Sequence, residues 1–205
     1  MEKLELDESS FSTYEIENLR IEALLFQTGY LTIADHNEYF YTLDYPNQEV
    51  KSSFMKNLYN RFAEIKSLRT KNSFNLLAKY LKEEKREEFI STVNTILASI
   101  TYHQLANQGE PFYHTVFYLM LSASGVEVLT ELLTSQGRMD IAVFFEEKIY
   151  IIELKCNQSA ERAITQIKEQ KYTDKYKTHG KRIILVGINF DTEKRELADW
   201  KMEEL

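Results

Sequence analysis

The stretch Gly137-Arg138-Met139-Asp140-Ile141-Ala142-Val143-Phe144-Phe145-Glu146-Glu147-Lys148-Ile149-Tyr150-Ile151-Ile152-Glu153-Leu154-Lys155 decides how this chain is read. Two apolar runs, Ile141 to Phe145 and Ile149 to Ile152, flank Glu146-Glu147-Lys148, the pattern of two strands joined by a tight hairpin. Side chains alternate along a strand, so Glu153 and Lys155 face one way and Leu154 the other. A run such as Ile-Tyr-Ile-Ile continues into core, where an ionised group costs several kcal/mol unless it is paired or metal-bound. Asp140, at the start of the partner strand, is placed to meet Glu153 across the hairpin. The two would form an oxygen site of the kind Mg²⁺ takes, with Lys155 beside it. The competing reading of Glu-x-Lys is a solvated salt bridge at a sheet end.

Around this hairpin the order from Glu110 onward reads as helix (111–123), strand (126–134), strand (139–145), strand (149–155), helix (159–176) and strand (182–188). That series fits a mixed sheet flanked by helices, an α/β (α+β mixed) fold class. Pro111 suits a first helical turn. Upstream, Ile16, Leu19, Ala23 and Phe26 fall at helical spacing over 14–27, with Gly29 suited to end the helix. Tyr30–Ile33 and Tyr39–Leu43 read as a short hairpin, and Pro46-Asn47 opens a helix that turns Val50, Phe54, Leu58 and Phe62 inward. Helix, hairpin, helix suggests a winged-helix-like unit at about 14–66. Helices over 72–84 and 86–106 follow, the second lined by Phe89, Val93, Ile96, Leu97 and Ile100. The division expected is a mainly helical N-terminal region, 1–107, and a second domain, 108–205.

A chain of 205 residues with 43% hydrophobic content sustains one sizeable core or two small ones. The single cysteine, Cys156, excludes an intrachain disulfide. The acidic start lacks the basic and apolar regions of a secretion signal, and no apolar run reaches the roughly 20 residues that span a bilayer. A cytoplasmic location without a membrane partner is expected. No Gly-x-x-x-x-Gly-Lys-Ser/Thr run occurs, so a P-loop nucleotide site is excluded. The net charge of −7 argues against a strong electrostatic nucleic-acid binder. Between Lys148 and Arg182, however, nine basic residues face four acidic ones. That local excess reads either as a patch for a polyanion or as a solvated helix face.

Asp140 followed by Glu153-Leu154-Lys155 resembles the PD-(D/E)xK phosphodiesterase superfamily, which carries an Asp on one core strand and Glu-x-Lys on the next. Leu25-Phe26-Gln27-Thr28-Gly29-Tyr30-Leu31-Thr32-Ile33, Tyr45-Pro46-Asn47-Gln48-Glu49-Val50, Glu110-Pro111-Phe112-Tyr113-His114, Gly137-Arg138-Met139-Asp140 and Gln166-Ile167 extend the resemblance over most of the chain. They are similar to a nuclease-type subfamily found in bacteria C-terminal to a predicted AAA-type ATPase. Met139 stands where the superfamily usually has proline.

The resemblance implies a restriction-endonuclease-like core and metal-dependent hydrolysis of nucleic acid, with DNA the expected substrate. It implies Mg²⁺ (or Mn²⁺) held by Asp140, Glu153 and the Leu154 carbonyl, and catalytic roles for Asp140, Glu153, Lys155, Glu110 and Gln166. Glu110 would hold the metal through water; an acidic residue at a helix start is equally accounted for by the macrodipole. His114 reads as an ordinary histidine. Arg138, Lys168 and Lys171 are the candidates to touch nucleic acid, Arg138 having a carboxylate such as Glu131 as its other option. Cys156 reads as structural. An AAA-type ATPase acting in trans is the protein partner the resemblance suggests. The alternative is a catalytically inactive nuclease-fold module that binds nucleic acid or docks to that ATPase, and a component acting on RNA would share the same site.

Overall fold

The computed structural model describes residues 4–11, 20–63, 71–101, 108–130, 141–170 and 172–205. Six α-helices and eight strands are defined among them. The first part holds β1 (Leu4–Leu6), α1 (Ile21–Gln27), β2 (Thr32–His36), β3 (Tyr41–Asp44), α2 (Gln48–Phe62), α3 (Lys71–Lys82) and α4 (Arg86–Leu97). The second holds α5 (Glu110–Ala123), β4 (Glu127–Leu129), β5 (Ile141–Phe144), β6 (Lys148–Cys156), α6 (Ala160–Glu169), β7 (Arg182–Asp191) and β8 (Glu196–Glu204).

The expected helix, hairpin, helix order is present from α1 to α2. Gly29, at φ +79°, closes α1, and its N–H bonds the Phe26 carbonyl at 3.0 Å. The β2–β3 hairpin gains a third strand that local pattern does not announce: β1 pairs antiparallel with β3, giving the order β1-β3-β2. The Asn47 side chain caps α2 by accepting from Val50 N at 2.9 Å.

The buried face of α2 is a correction to the sequence reading. Met55, Tyr59 and Ala63 are buried with Ser52, whereas Leu58 and Phe62 are exposed and Val50 and Phe54 only half-buried. The face is rotated by one residue because α2 packs on α5. There Ser52 donates to the Ala123 carbonyl at 2.8 Å and Gln48 to the Val126 carbonyl at 3.0 Å. In α4 the expected Phe89, Val93, Ile96, Leu97 and Ile100 are all buried, but the helix ends at Leu97. The expected single helix over 159–176 is α6 followed by a separate 3₁₀ segment, Asp174–His179.

The larger sheet runs β4-β5-β6-β7-β8, with β6 and β7 parallel and the other pairs antiparallel. It is the mixed sheet the sequence predicts, with helices on both faces. Strand β6 organises it by alternation. Tyr150, Ile152 and Leu154 pack with Phe89, Phe117 and Trp200 in a core that also includes Met55, Tyr59 and Phe74 of the helical part. Ile149 and Ile151 turn the other way, onto Ile164 and Ile167 of α6 with Ile183 and Leu185 of β7. These five β6 side chains are fully buried, worth about 1.5–3 kcal/mol each. Their sum holds the strand inside the protein against the cost of any charge that follows.

The start of β6 is tied to the helices. Tyr150 and Lys148 donate to the Leu81 and Lys82 carbonyls at 2.7 and 2.8 Å, satisfying the C-terminal end of α3. Strand β8 was not anticipated. Its outer edge is covered by α4, where Asn94 donates to the Leu197 carbonyl at 3.2 Å and accepts from Leu197 N at 2.7 Å, and Arg86 bonds the Trp200 carbonyl. The edge is thereby closed to pairing with another chain.

Candidate active site

At the C-terminal end of β6 the apolar run gives way to Glu153 and Lys155, and both stay inside: 1% and 7% exposed. Lys155 Nζ donates to Glu153 Oε1 at 2.9 Å. The reading of Glu-x-Lys as a solvated rim pair is therefore set aside. The same ammonium lies 3.9 Å from Glu110 Oε1, a half-exposed carboxylate at the first turn of α5. One cation thus sits between acids from a strand and a helix.

The pair is framed by the next two strands. Glu153 stands on one rung with Gly187 and Lys201, and Lys155 on the next with Asn189 and Asp199. Gly187 is required by close approach: a Cβ there would lie 2.1 Å from the Ala160 carbonyl oxygen and 3.0 Å from Ile164. The gap lets the first turn of α6 rest on the sheet beside Glu153. Asp199 accepts from Ala160 N at 2.8 Å, and Ser159 caps the helix by accepting from Arg162 N at 3.2 Å.

Burial pushes the Cys156 thiol up to about 12, with Glu110 adding to the shift and Lys155 opposing it. It is a neutral thiol at physiological pH, in keeping with a structural role.

Residues 108–200 match the family model described as the PD-(D/E)XK nuclease superfamily.

The match covers α5, α6, strands β4 to β7 and the first part of β8, and the order of these elements is that of a restriction-endonuclease-like core. It supports the superfamily for this half of the chain. An uncharacterized protein in the vnfD 5' region of Azotobacter chroococcum is 31% identical over 216 residues, covering 100% of this chain and 42% of that relative. The chain therefore spans less than half the length of this curated relative. No solved structure matches.

Of the residues singled out from the sequence, Glu153, Lys155 and Glu110 are brought together. Asp140, Arg138 and Lys171 lie outside the described residues, as does Glu131. Gln166 is half-buried on α6, beside buried Ile167. His114 is half-buried, one turn after Glu110. Lys168 is held by Glu203 of β8 at 2.5 Å.

The local excess of positive charge is met in part by acids that lie outside the stretch. Besides Lys168 with Glu203, Arg182 pairs with Glu204 at 2.7 Å and Glu84 at 3.0 Å, and Lys148 pairs with Glu84 at 2.6 Å. No helix among the described residues is long and apolar enough to cross a membrane.

Among the described residues no three His, Cys, Asp or Glu side chains converge as a ready metal cage. The donors at hand, the Glu153 carboxylate and the Leu154 carbonyl, are the hard oxygens that Mg²⁺ and Mn²⁺ take. In kind they suit such an ion, and they need a further oxygen ligand to hold it. Sequence reading missed Gly187, Asn189 and Asp199. A lone glycine and asparagine inside Val186-Gly187-Ile188-Asn189-Phe190 was the available signal, since such residues interrupt a buried strand only for a local reason.

Proposed function

We propose that the protein is a metal-dependent phosphodiesterase that hydrolyses nucleic acid, with DNA as its principal substrate. The observation that carries this reading is the buried Glu153–Lys155 pair with Glu110 beside it. The superfamily match over residues 108–200 supports the same chemistry. Asp140 is the missing oxygen ligand: the last described rung of β5–β6 is Ile141 opposite Ile152, and Asp140 and Glu153 are the next residue along each chain. A divalent cation held by Asp140, Glu153 and the Leu154 carbonyl would supply Lewis-acid polarisation of the phosphate and a bound water of lowered pKa.

The chain's own groups do the rest. Lys155, fixed by Glu153, offers an ammonium to the negative charge that develops on the five-coordinate phosphorus, where preorganised charge is most effective. Glu110 steadies that ammonium from α5 and would accept a hydrogen bond from a water on the cation. Gln166 lines the α6 side, and Arg138, Lys168 and Lys171 bind the nucleic-acid backbone. Exposed Lys168 exchanges its half-buried Glu203 partner for phosphate, a switch that weak surface pairing permits. An AAA-type ATPase is the partner we propose for the first part of the chain. It rests on the resemblance of Leu25–Ile33 and Tyr45–Val50, and the length of the Azotobacter relative leaves room for such a segment.

Cleavage of single-stranded, duplex and branched DNA and of RNA with Mg²⁺ or Mn²⁺, beside Asp140→Ala and Lys155→Ala, tests the reading. Wild type should cut and each variant should lose at least about a hundredfold, the scale set by removing one group that stabilises transition-state charge. Equal cutting by all three would mean a contaminant and would end the proposal. A second reading, an inactive nuclease-fold module that binds or docks, is favoured by the net charge of −7 and by the pairing of so many basic side chains. Inactivity of wild type on every substrate would select it.

A further inference from the structure

We infer that Asn189 is a positioning residue for the Glu153–Lys155 pair, holding the pair's strand in place and keeping the position directly beside Lys155 on β7 free of negative charge. The inference rests on the nuclease reading for its kinetic consequence, though not for its geometry. Asn189 lies directly across from Lys155 in the parallel β6–β7 register, and rung partners on neighbouring strands, about 4.8 Å apart, point to the same face. Both residues are 7% exposed. The amide oxygen of Asn189 accepts from Gln158 N at 2.8 Å, three residues beyond Lys155.

That bond is one of several that immobilise the link from β6 to α6. Asn157, at φ +55°, donates its backbone N–H to the Phe190 carbonyl at 2.9 Å. Its side chain exchanges two bonds with Thr192, at 2.7 and 3.0 Å. Asp199, next on the Lys155 rung, takes the Ala160 N–H. Strands β7 and β8 therefore fix three of the four positions from 157 to 160, all but the cap Ser159.

The choice of amide over acid at 189 is the second half of the inference. An aspartate has nearly the same shape and would still accept from Gln158, but it would place a carboxylate one strand away from an ammonium already shared by Glu153 and Glu110. Lys155 would then be drawn across the sheet, away from Glu153. A neutral acceptor satisfies the backbone without competing for the cation.

Asn189→Asp and Asn189→Ala separate these roles, read by crystal structure, by amide exchange at Gln158 and by steady-state cleavage. Asn189→Asp should protect Gln158 as wild type does. Its Lys155 ammonium should sit within hydrogen-bonding distance, about 3 Å, of the new carboxylate rather than of Glu153. Its kcat should fall at least about tenfold with KM little changed, the signature of a misplaced group rather than lost substrate binding. Asn189→Ala should speed Gln158 exchange by about tenfold or more, the worth of one backbone hydrogen bond.

A Lys155 that stays on Glu153 in Asn189→Asp, with wild-type kcat, overturns the inference. Should Asn189→Asp fail to fold, unchanged Gln158 exchange in Asn189→Ala overturns it instead. If wild type cuts nothing, the nuclease reading fails by itself, while the place of the ammonium and the exchange of Gln158 still decide the role of Asn189.

Discussion

Lys155 bonds Glu153 at 2.9 Å from two positions further along the same strand, and neither side chain reaches the surface to any extent. Strand alternation alone puts the two on one side. What holds them inside is the fully buried run before them and the helix α6 laid over Gly187. Removing one member of a buried ion pair strands the other, which costs about 3–5 kcal/mol, more than the pair itself contributes.

Lys155→Ala should therefore unfold at a clearly lower temperature than wild type. Because the stranded group is a carboxylate, millimolar Mg²⁺ should raise the melting temperature of Lys155→Ala more than that of Lys155→Ala/Glu153→Gln. Melting curves with Mg²⁺ and with chelator check this. Identical shifts in the two proteins would show that the cation does not bind at Glu153.

Gly187→Ala should be among the most damaging single changes in the second half of the chain. The added methyl would meet the Ala160 carbonyl at 2.1 Å, a backbone atom that yields only if α6 moves. Overpacking of this kind costs about 1–3 kcal/mol and occasionally more. Urea denaturation gives the loss, and a wild-type midpoint would mean that α6 does not rest on β7 as described.

Stability should fall in acid through three paired carboxylates. Glu84 is held below the ordinary carboxylate range by its bond from Lys148 first and from Arg182 next, Glu203 by Lys168 and then Lys201, and Glu204 by Arg182. A folded value below the unfolded one, about 4.3, means the contribution is complete above that pH and lost as pH drops through the folded value. The urea midpoint should hold steady down to about pH 5 and decline below about pH 4. Glu84→Gln should start lower at neutral pH and show a shallower acid decline. An unchanged acid limb in that variant would remove Glu84 from the account.

Much of this molecule could be read from local pattern. The β5–β6 hairpin, the face shared by Glu153 and Lys155, and the lining of α4 follow from alternation and helical spacing, which need no knowledge of distant chain. The misses are non-local. β1 is three residues that become a strand only by pairing with β3, some forty residues on. β8 carries five charged residues in nine and looks solvated until Asn94 and Arg86 of α4 close its edge. The inward face of α2 shifted from Phe54 and Leu58 to Met55 and Tyr59 because its partner is α5, not the adjacent hairpin. The charge excess from Lys148 to Arg182 has two local readings, and the pairing of three of its bases with Glu84, Glu203 and Glu204 from outside the stretch is invisible to local pattern. In the site itself Glu153, Lys155 and Glu110 were legible as residue types. The shared face of Glu153 and Lys155 follows from alternation, whereas the approach of Glu110 was implied only by the resemblance, since it depends on how α5 meets the end of β6.

The account stands most directly on whether Glu153 holds a divalent cation. Anomalous diffraction from a crystal soaked in Mn²⁺ measures this. The prediction is a peak about 2.1 Å from a Glu153 carboxylate oxygen, with Asp140 as a second ligand, and its loss in Asp140→Ala. A fully soaked crystal with no peak at Glu153, or with manganese bound only elsewhere, would contradict it.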